Sequence, residues 1–302
     1  MSKKKRKIKL KLKIKRKNFI IFLLIILISF FILTKTTSSI VSAFKDNKKT
    51  KEVELTDKEK KLEQLDNIHK KIKYFNEANI DRYIDYKNKN SKLSIKQVIK
   101  NVNMNLDLEH YEDKFKATNL NSTKILVNKH YYLEKEYVPE NLEEINIQFA
   151  IKDMKLVDVA KEAFEEMAKA ASKENLKIIA MSTYRDYNYQ EKLYNQYVKQ
   201  DGIEAADLYS GRAGFSEHQT GLAVDVYNIK ESYTNFHETK EFIWMQEHAK
   251  DYGFILRYPE GKEKETGYQY ESWHYRYVGK EIAKYITENN ISYEEYYATK
   301  LI

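Results

Sequence analysis

The chain has 302 residues, with 53 Lys or Arg, 45 Asp or Glu and no cysteine. That length allows one or two domains with a substantial core, and the lack of cysteine excludes a disulfide framework and any thiolate metal site. The formal charge of +8 is concentrated at one end: residues 1–17 hold eleven Lys or Arg and no acid, leaving 42 basic against 45 acidic residues elsewhere. The remainder lacks the basic patch that a nucleic-acid partner requires.

The basic tail, residues 1–18, precedes an apolar run of 15 residues at 19–33. Positive charge before an apolar stretch is an export signal whose charged end stays in the cytoplasm. Fifteen residues fall short of the roughly 20 of a spanning helix, but continuing through Thr34 to Val41 brings the segment to length. Residues 19–41 therefore read as an uncleaved anchor in the cytoplasmic membrane. Val41-Ser42-Ala43 also resembles a small-residue cleavage site, so a cleaved signal peptide with secretion is the alternative. Either way residues 44–302 are expected outside the membrane.

Residues 42–60 are rich in Lys and Glu and read as a solvated spacer. A helical region follows over 61–120. Leu62, Leu65, Ile68, Ile72 and Phe75 open a helical pattern that runs to residue 83. Ser94 and Gln97 form a capping-box pattern before a second helix bearing Val98, Ile99 and Val102. No chemistry is visible there, and His69 and His110 stand alone. The next domain, 121–302, starts with an expected strand at 125–129 and an extended connection at 137–139, where Pro139 disfavours helix. A helix over 154–173 carries one apolar face of Val157, Ala160, Phe164, Met167, Ala168 and Ala171. A buried strand at 176–182, a helix at 188–200, a strand at 222–226 and a helix at 239–252 stopped by Gly253 follow. Strands at 254–258 and 273–278 and a helix at 280–289 complete the pattern. Without a regular βαβ rhythm the fold class is α+β, a small mixed or antiparallel sheet with flanking helices.

All eight glycines lie beyond residue 200, so the loop-built region that can carry a site is the last hundred residues. Two motifs sit there, Ser216-Glu217-His218-Gln219-Thr220-Gly221-Leu222-Ala223-Val224-Asp225 and Glu271-Ser272-Trp273-His274. His218, Asp225 and His274 supply two imidazoles and a carboxylate, the ligand set of a hydrolytic zinc with one position open. Glu271 is then a candidate general base. Gly221 permits the turn that brings His218 back toward Asp225, and Glu271 needs a bend near Ser272 to share a face with His274. His130, His237 and His248 lack a paired acid and read as ordinary histidines. No Gly-x-Ser-x-Gly elbow and no phosphate-binding glycine loop competes with this constellation.

Residues 126–279 resemble the VanY-type family of zinc D-alanyl-D-alanine carboxypeptidases, which are relatives of D,D-dipeptidases and L,D-carboxypeptidases of the cell wall. The resemblance covers about half the chain. It is carried by Leu126-Val127-Asn128-Lys129 with Tyr137-Val138-Pro139, and by Ser182-Thr183-Tyr184-Arg185 with Gln190. Next come Ser216 to Asp225, then Tyr252-Gly253-Phe254, Arg257-Tyr258-Pro259 and Gly261-Lys262. The last block is Thr266-Gly267-Tyr268 with Glu271-Ser272-Trp273-His274-Tyr275-Arg276-Tyr277-Val278-Gly279. Ala213-Gly214 stands where many members have proline-glycine. The resemblance implies Zn2+ held by His218, Asp225 and His274, with Glu271 as general base and Arg185 stabilising the tetrahedral intermediate. The bland alternative for Arg185 is a surface ion pair with Asp186. For the substrate's free carboxylate the nearest donors are Ser216, Gln190 and Tyr184. Trp273 and Tyr275 wall the pocket or fill the core, with core ahead for Trp273. The expected substrate is a peptidoglycan stem peptide ending in D-Ala-D-Ala. The alternatives are an L,D-carboxypeptidase acting on tetrapeptides, or a non-catalytic wall-binding protein on the same scaffold.

Overall fold

The computed structural model of the protein describes Lys60 and residues 71–301. The chain divides into two compact units, Met1–Gln64 and Leu65–Ile302, and the elements below all belong to the second. The tail, the apolar run, the spacer before Lys60, and residues 61–70 with Leu62, Leu65, Ile68 and His69, lie outside the described residues. Among the described residues no helix is long and apolar enough to cross a membrane.

Two short helices come first, α1 (Ile80–Lys89) and α2 (Ile95–Asn103). The helical pattern expected to reach residue 83 is broken: Asn76 accepts from the Ala78 amide, caps a single turn at Glu77–Asn79, and α1 begins only after it. Ser94 and Gln97 make the expected capping box, each side chain bonding the other residue's amide, at 3.3 and 2.9 Å. Tyr83 and Tyr86 of α1 pack with Ile95, Val98, Ile99 and Val102 of α2 in a small core of their own. This pair is tied to the end of the chain. Lys100 forms an ion pair with Glu295 at 2.9 Å, and the Asn103 amide donates to the carbonyls of Tyr74 (2.8 Å) and Ala298 (3.4 Å).

Strands β1 (Phe115–Lys116) and β2 (Tyr131–Tyr132) pair in parallel. Residues 125–129 are not the expected strand: 125–127 are irregular and 128–129 lie in a bend. The carbonyls of Ile125 and Thr123 are taken by the Arg276 guanidinium, at 2.7 and 3.2 Å, instead of by a neighbouring strand. β3 (Leu142–Glu144) and β4 (Lys155–Val157) form an antiparallel pair, and α3 (Asp158–Lys173) follows directly. The expected helix start at 154 is thus a strand, drawn out of the helix by the ladder to β3 and by bonds from Lys155 N to Thr183 Oγ1 and from Val157 N to Gly221 O. The α3 face that reaches the core is Ala160, Ala163, Phe164, Met167, Ala168 and Ala171.

After β5 (Ile179–Ser182) come α4 (Tyr187–Asp201), α5 (Ile203–Tyr209) and β6 (Ala223–Tyr227). α6 (Lys240–His248) runs into a single turn closed by Gly253, and β7 (Phe254–Leu256), α7 (Glu263–Thr266), β8 (His274–Tyr277), α8 (Lys280–Asn289) and α9 (Tyr293–Tyr296) follow. The main sheet is antiparallel, in the order β5-β6-β8-β7. Its faces alternate as strand geometry requires. Val224, Val226, Phe254 and Tyr275 point to the core shared with α3, while Asp225, His274 and Arg276 point to the other side.

Gly221 closes the turn before β6 at φ +68, and a Cβ there would lie 2.9 Å from Leu142 and 3.0 Å from Val157. Gly261 has φ +79 but open space around it. Alanine at either site bears the left-handed cost of about 1–2 kcal/mol, and Gly221→Ala adds an overpacking cost of about 1–3 kcal/mol. Denaturant unfolding of the two variants is expected to show Gly221→Ala as clearly the less stable.

Candidate active site

The site is assembled by strand register. Asp225 on β6 lies opposite Ser182 on β5 and opposite His274 on β8. One row across three strands therefore brings together residues far apart in sequence, and a bulge between Ala180 and Ser182 adjusts the first of them. His218 arrives from the single turn Glu217–Thr220 just before β6. Glu271 is carried by a turn at Ser272-Trp273 ahead of β8, which leaves its carboxylate 3.9 Å from His274 Nδ1. That turn is the bend that the three-residue spacing demands.

The two imidazoles are held by their far nitrogens. His218 Nδ1 lies 2.7 Å from the Thr183 carbonyl, which puts the proton on Nδ1 and turns a free Nε2 to Asp225 Oδ2 at 3.3 Å. His274 Nδ1 faces Asp225 Oδ1 at 2.9 Å, and its Nε2 faces Glu217 Oε2 at 3.4 Å. An acceptor behind each histidine, taking the proton of its far nitrogen, is the usual support of a metal centre, fixing tautomer and ring plane. Ligand atoms of His218, Asp225 and His274 all lie within 4.8 Å of one another, and all three residues are buried. A tetrahedral ion with bonds of about 2.0–2.2 Å sets its ligand atoms about 3.3 Å apart, so this donor set fits one with little movement.

Burial pushes Glu271 up to about 8, with Asp225 adding to it against His274 and Arg185. Burial lowers His274, but its bonds to Asp225 and Glu217 outweigh that and raise it to about 9. Burial and the nearby Arg185 lower His218 to about 4, so it is neutral at ordinary pH. Burial also works against ionisation of Asp225, yet the two histidines hold it well below the usual carboxylate range.

Arg185 reaches this group from the start of the loop after β5. Its Nη1 lies 3.5 Å from Asp225 Oδ2 and donates to Ser182 Oγ, and its Nε donates to Gln190 Oε1 at 2.9 Å. Asp186 is no partner of Arg185 here; it caps α4, accepting from the Tyr189 amide at 2.7 Å. The run Ser182-Thr183-Tyr184-Arg185 thus serves as a frame for the site, with Ser182 on the guanidinium and Thr183 on the histidine.

The expected substrate contacts fare differently. Ser216 lines the pocket, and its Oγ caps the turn at the His218 amide. Gln190 does not face the pocket as a free donor. It is 1% exposed, and its amide nitrogen donates to the Gly211 carbonyl at 2.7 Å while its oxygen holds Arg185. Tyr184 also lies off the pocket lining, because the residue before Arg185 on an extended chain points the other way. Trp273, expected in the core, is half-buried and walls the pocket, edge-on to Tyr233 at 5.0 Å. Tyr275, two residues on, is the one in the core. His110, His130, His237 and His248 are outside this cluster; His130 bonds the Asp113 carbonyl and His248 packs on Trp244.

Sequence reasoning missed a second layer. Glu217, between Ser216 and His218, is fully buried and accepts from Arg257 and Arg276, each at 2.8 Å. Burial pushes its carboxyl up, but the two guanidinium groups outweigh this and hold it far below the ordinary range. Both arginines stand within the motifs that carried the resemblance, and only three-dimensional packing reveals that they are buried. The pocket in front of the ligands measures about 550 Å³ and takes in Arg185, Ser216, Glu271, Tyr258, Tyr268 and Trp273.

Comparison with known proteins agrees with this geometry. The profile of VanY, D-alanyl-D-alanine carboxypeptidase, matches residues 153–280. YodJ of Bacillus subtilis (strain 168) is 35% identical over 217 residues, 68% of this chain and 80% of that protein. The chain belongs to the VanY family. It is accordingly an enzyme of the carboxypeptidase type. Among solved structures, the LdcB LD-carboxypeptidase is 36% identical with a TM-score of 0.58, over 64% of this chain and 94% of LdcB. The vancomycin-resistance D,D-pentapeptidase VanY in complex with Zn(II) is 31% identical with a TM-score of 0.51, over 58% and 98%. VanYB in complex with D-alanine-D-alanine is 30% identical with a TM-score of 0.52, over 59% and 98%.

The metal-free protein should lose stability as pH rises. Glu271 at about 8 and His274 at about 9 lie above their ordinary values of 4.5 and 6.5. Between pH 6.5 and 8 the native state therefore holds protons that the unfolded chain has released, and stability falls with rising pH. Thermal melts of chelator-treated protein at pH 6.5 and 8.5 are expected to show a lower Tm at 8.5. Zinc-loaded protein, whose ligands are already deprotonated, should show a smaller drop.

Proposed function

We propose that the protein is a zinc-dependent carboxypeptidase that removes the terminal D-alanine from peptidoglycan stem peptides ending in D-Ala-D-Ala. The observation that carries this reading is the convergence of His218, Asp225, His274, Glu271 and Arg185 on one pocket. A binding protein on the same scaffold would have no need of Glu271 beside a complete ligand set. The VanY complexes with Zn(II) and with D-alanine-D-alanine support the metal and the substrate.

His218, Asp225 and His274 would hold the zinc. When bound, it supplies a water acidified to near neutral pKa and polarises the scissile carbonyl. Glu271 takes the proton of the attacking water and passes it to the leaving amine. Its burial suits that task, since a carboxylate shielded from solvent is the stronger base. Arg185 keeps a fixed positive charge for the carbonyl oxygen as negative charge develops there. Ser182 and Gln190 hold that guanidinium in place. Ser216, whose oxygen already caps the His218 turn, has its own proton to offer the substrate carboxylate.

The similarity to LdcB favours a second reading, cleavage of the L,D bond of a tetrapeptide. In either case the substrate lies outside the membrane. Anchoring through residues 19–41, with 121–302 as the catalytic domain behind the helical region 61–120, suits that location. Membrane fractionation with mass measurement of the intact chain distinguishes an anchor, found in the pellet at full mass, from a product cleaved after Ala43.

Stem pentapeptide and tetrapeptide, each incubated with the protein and the products weighed, test the reaction. Loss of one alanine from the pentapeptide only, abolished by chelator and restored by zinc, is the expected result. Cleavage of the tetrapeptide alone moves the assignment to the L,D bond, and cleavage of neither sinks the exopeptidase reading. Restoration by cobalt or iron but not zinc would change the metal, since the same ligand set suits those ions. Glu271→Gln is expected to lower kcat by about 10²–10⁴ with zinc still bound. Arg185→Lys should lower kcat by about 10²–10³ and leave metal content unchanged.

A further inference from the structure

Four ionised side chains lie fully buried behind His274, and the chemistry above leaves three of them without a task. Arg257 and Arg276 have no exposed surface. Arg257 donates from Nε to Glu217 Oε1 at 2.8 Å, from Nη1 to Glu294 Oε2 at 2.9 Å and from Nη2 to Glu294 Oε1 at 2.6 Å. Arg276 donates to the same Glu217 oxygen at 2.8 Å. Glu294 Oε1 also accepts from Asn128 at 3.1 Å, and the Tyr293 ring lies 5.5 and 5.4 Å from the two guanidinium carbons.

This arrangement has a direction. Two cations anchor one oxygen of Glu217, so its carboxylate plane is set and the other oxygen faces His274 Nε2 at 3.4 Å. Arg257 is oriented from its far side by the bidentate grip of Glu294, a geometry with little rotational freedom. The charges also balance, two guanidinium groups against two carboxylates, which leaves no uncompensated buried charge beside a site for a dication. Glu294 sits on α9, beyond the residues 153–280 that match the family profile. α9 in turn is gripped by α2 through Lys100–Glu295, and the turn after it by Asn103 on the Ala298 carbonyl.

We propose that Glu294 is a positioning residue of the metal centre, acting through Arg257 and Glu217 on the ring of His274, and that the helical pair α1–α2 braces the segment that carries it. The inference rests on the metal site proposed above. It assigns a mechanical task to a helical region in which the sequence shows no chemistry.

The test is zinc affinity, measured on the full chain by competition with a chromophoric chelator, beside kcat, KM and the Tm of the metal-free protein. This readout needs no peptide, so an error in the substrate assignment leaves it intact; a wild-type chain that binds no zinc would instead overturn the metal site itself. Glu217→Gln and Glu294→Gln are each expected to weaken zinc binding by about 10- to 100-fold, lowering kcat with little change in KM. The double variant should lose little more than the worse single, because Glu294 acts through Glu217. Lower Tm with wild-type zinc affinity and kcat in the folded protein would show a structural role only and overturn the proposal. If Glu294→Gln does not fold, Glu294→Asp keeps the charge and shortens the reach; wild-type zinc affinity in that variant overturns the proposal equally. Lys100→Glu should weaken zinc binding severalfold, and adding Glu295→Lys should restore it. No effect of Lys100→Glu would remove the brace.

Discussion

The antiparallel pairing of β6 with β8 is the constraint on which the rest of the molecule depends. It sets Asp225 opposite His274 and Ala223 opposite Arg276. The first pair makes two of the three metal-fitting donors adjacent. The second places a long, fully buried guanidinium beside the smallest side chain of the strand, where there is room for it to run toward Glu217. On the other face the same two strands contribute Val224, Val226 and Tyr275 to the main core. Because strand side chains alternate, a slip of one residue would send His274 into the core and Tyr275 into the pocket. Chemistry and packing are therefore protected by a single ladder.

Much of this organisation was legible in the chain. The α3 face, the position of β6, the Gly221 turn and α8 follow from periodicity and glycine placement. The grouping of His218, Asp225 and His274 follows from residue type and spacing, and the bend at Ser272 from the mismatch between a three-residue step and a two-residue strand period. What could not be read is where polar side chains turn once packed. Gln190 looks like an exposed helix residue with a free amide, yet it is buried and committed at both ends. Tyr184 adjoins Arg185 in sequence and faces away from it. Trp273 belongs to the wall and Tyr275 to the core, which alternation alone could not orient without knowing the sheet's neighbours.

Two of the misplaced elements have a common cause. Residues 125–129 have the composition of a strand and residues 154–157 continue the pattern of a helix. In each case a long-range polar partner decides the outcome. Arg276 donates to the carbonyls of the first segment, and Thr183 Oγ1 and the Gly221 carbonyl accept from the Lys155 and Val157 amides of the second. Backbone groups must be satisfied somewhere, and tertiary partners of this kind override local preference.

The grip of Glu294 on Arg257 also bears on the order in which the molecule can be assembled. The two residues are 37 positions apart, and Glu294 is near the last of the described chain. Until the later residue is in place, Arg257 has one carboxylate where its interior position demands two. Burying a half-compensated guanidinium is costly, so the interior around His274 closes late. A chain whose α9 segment has not docked holds the sheet residues but lacks the second carboxylate on Arg257, so the surroundings of His274 settle only when that segment is in place.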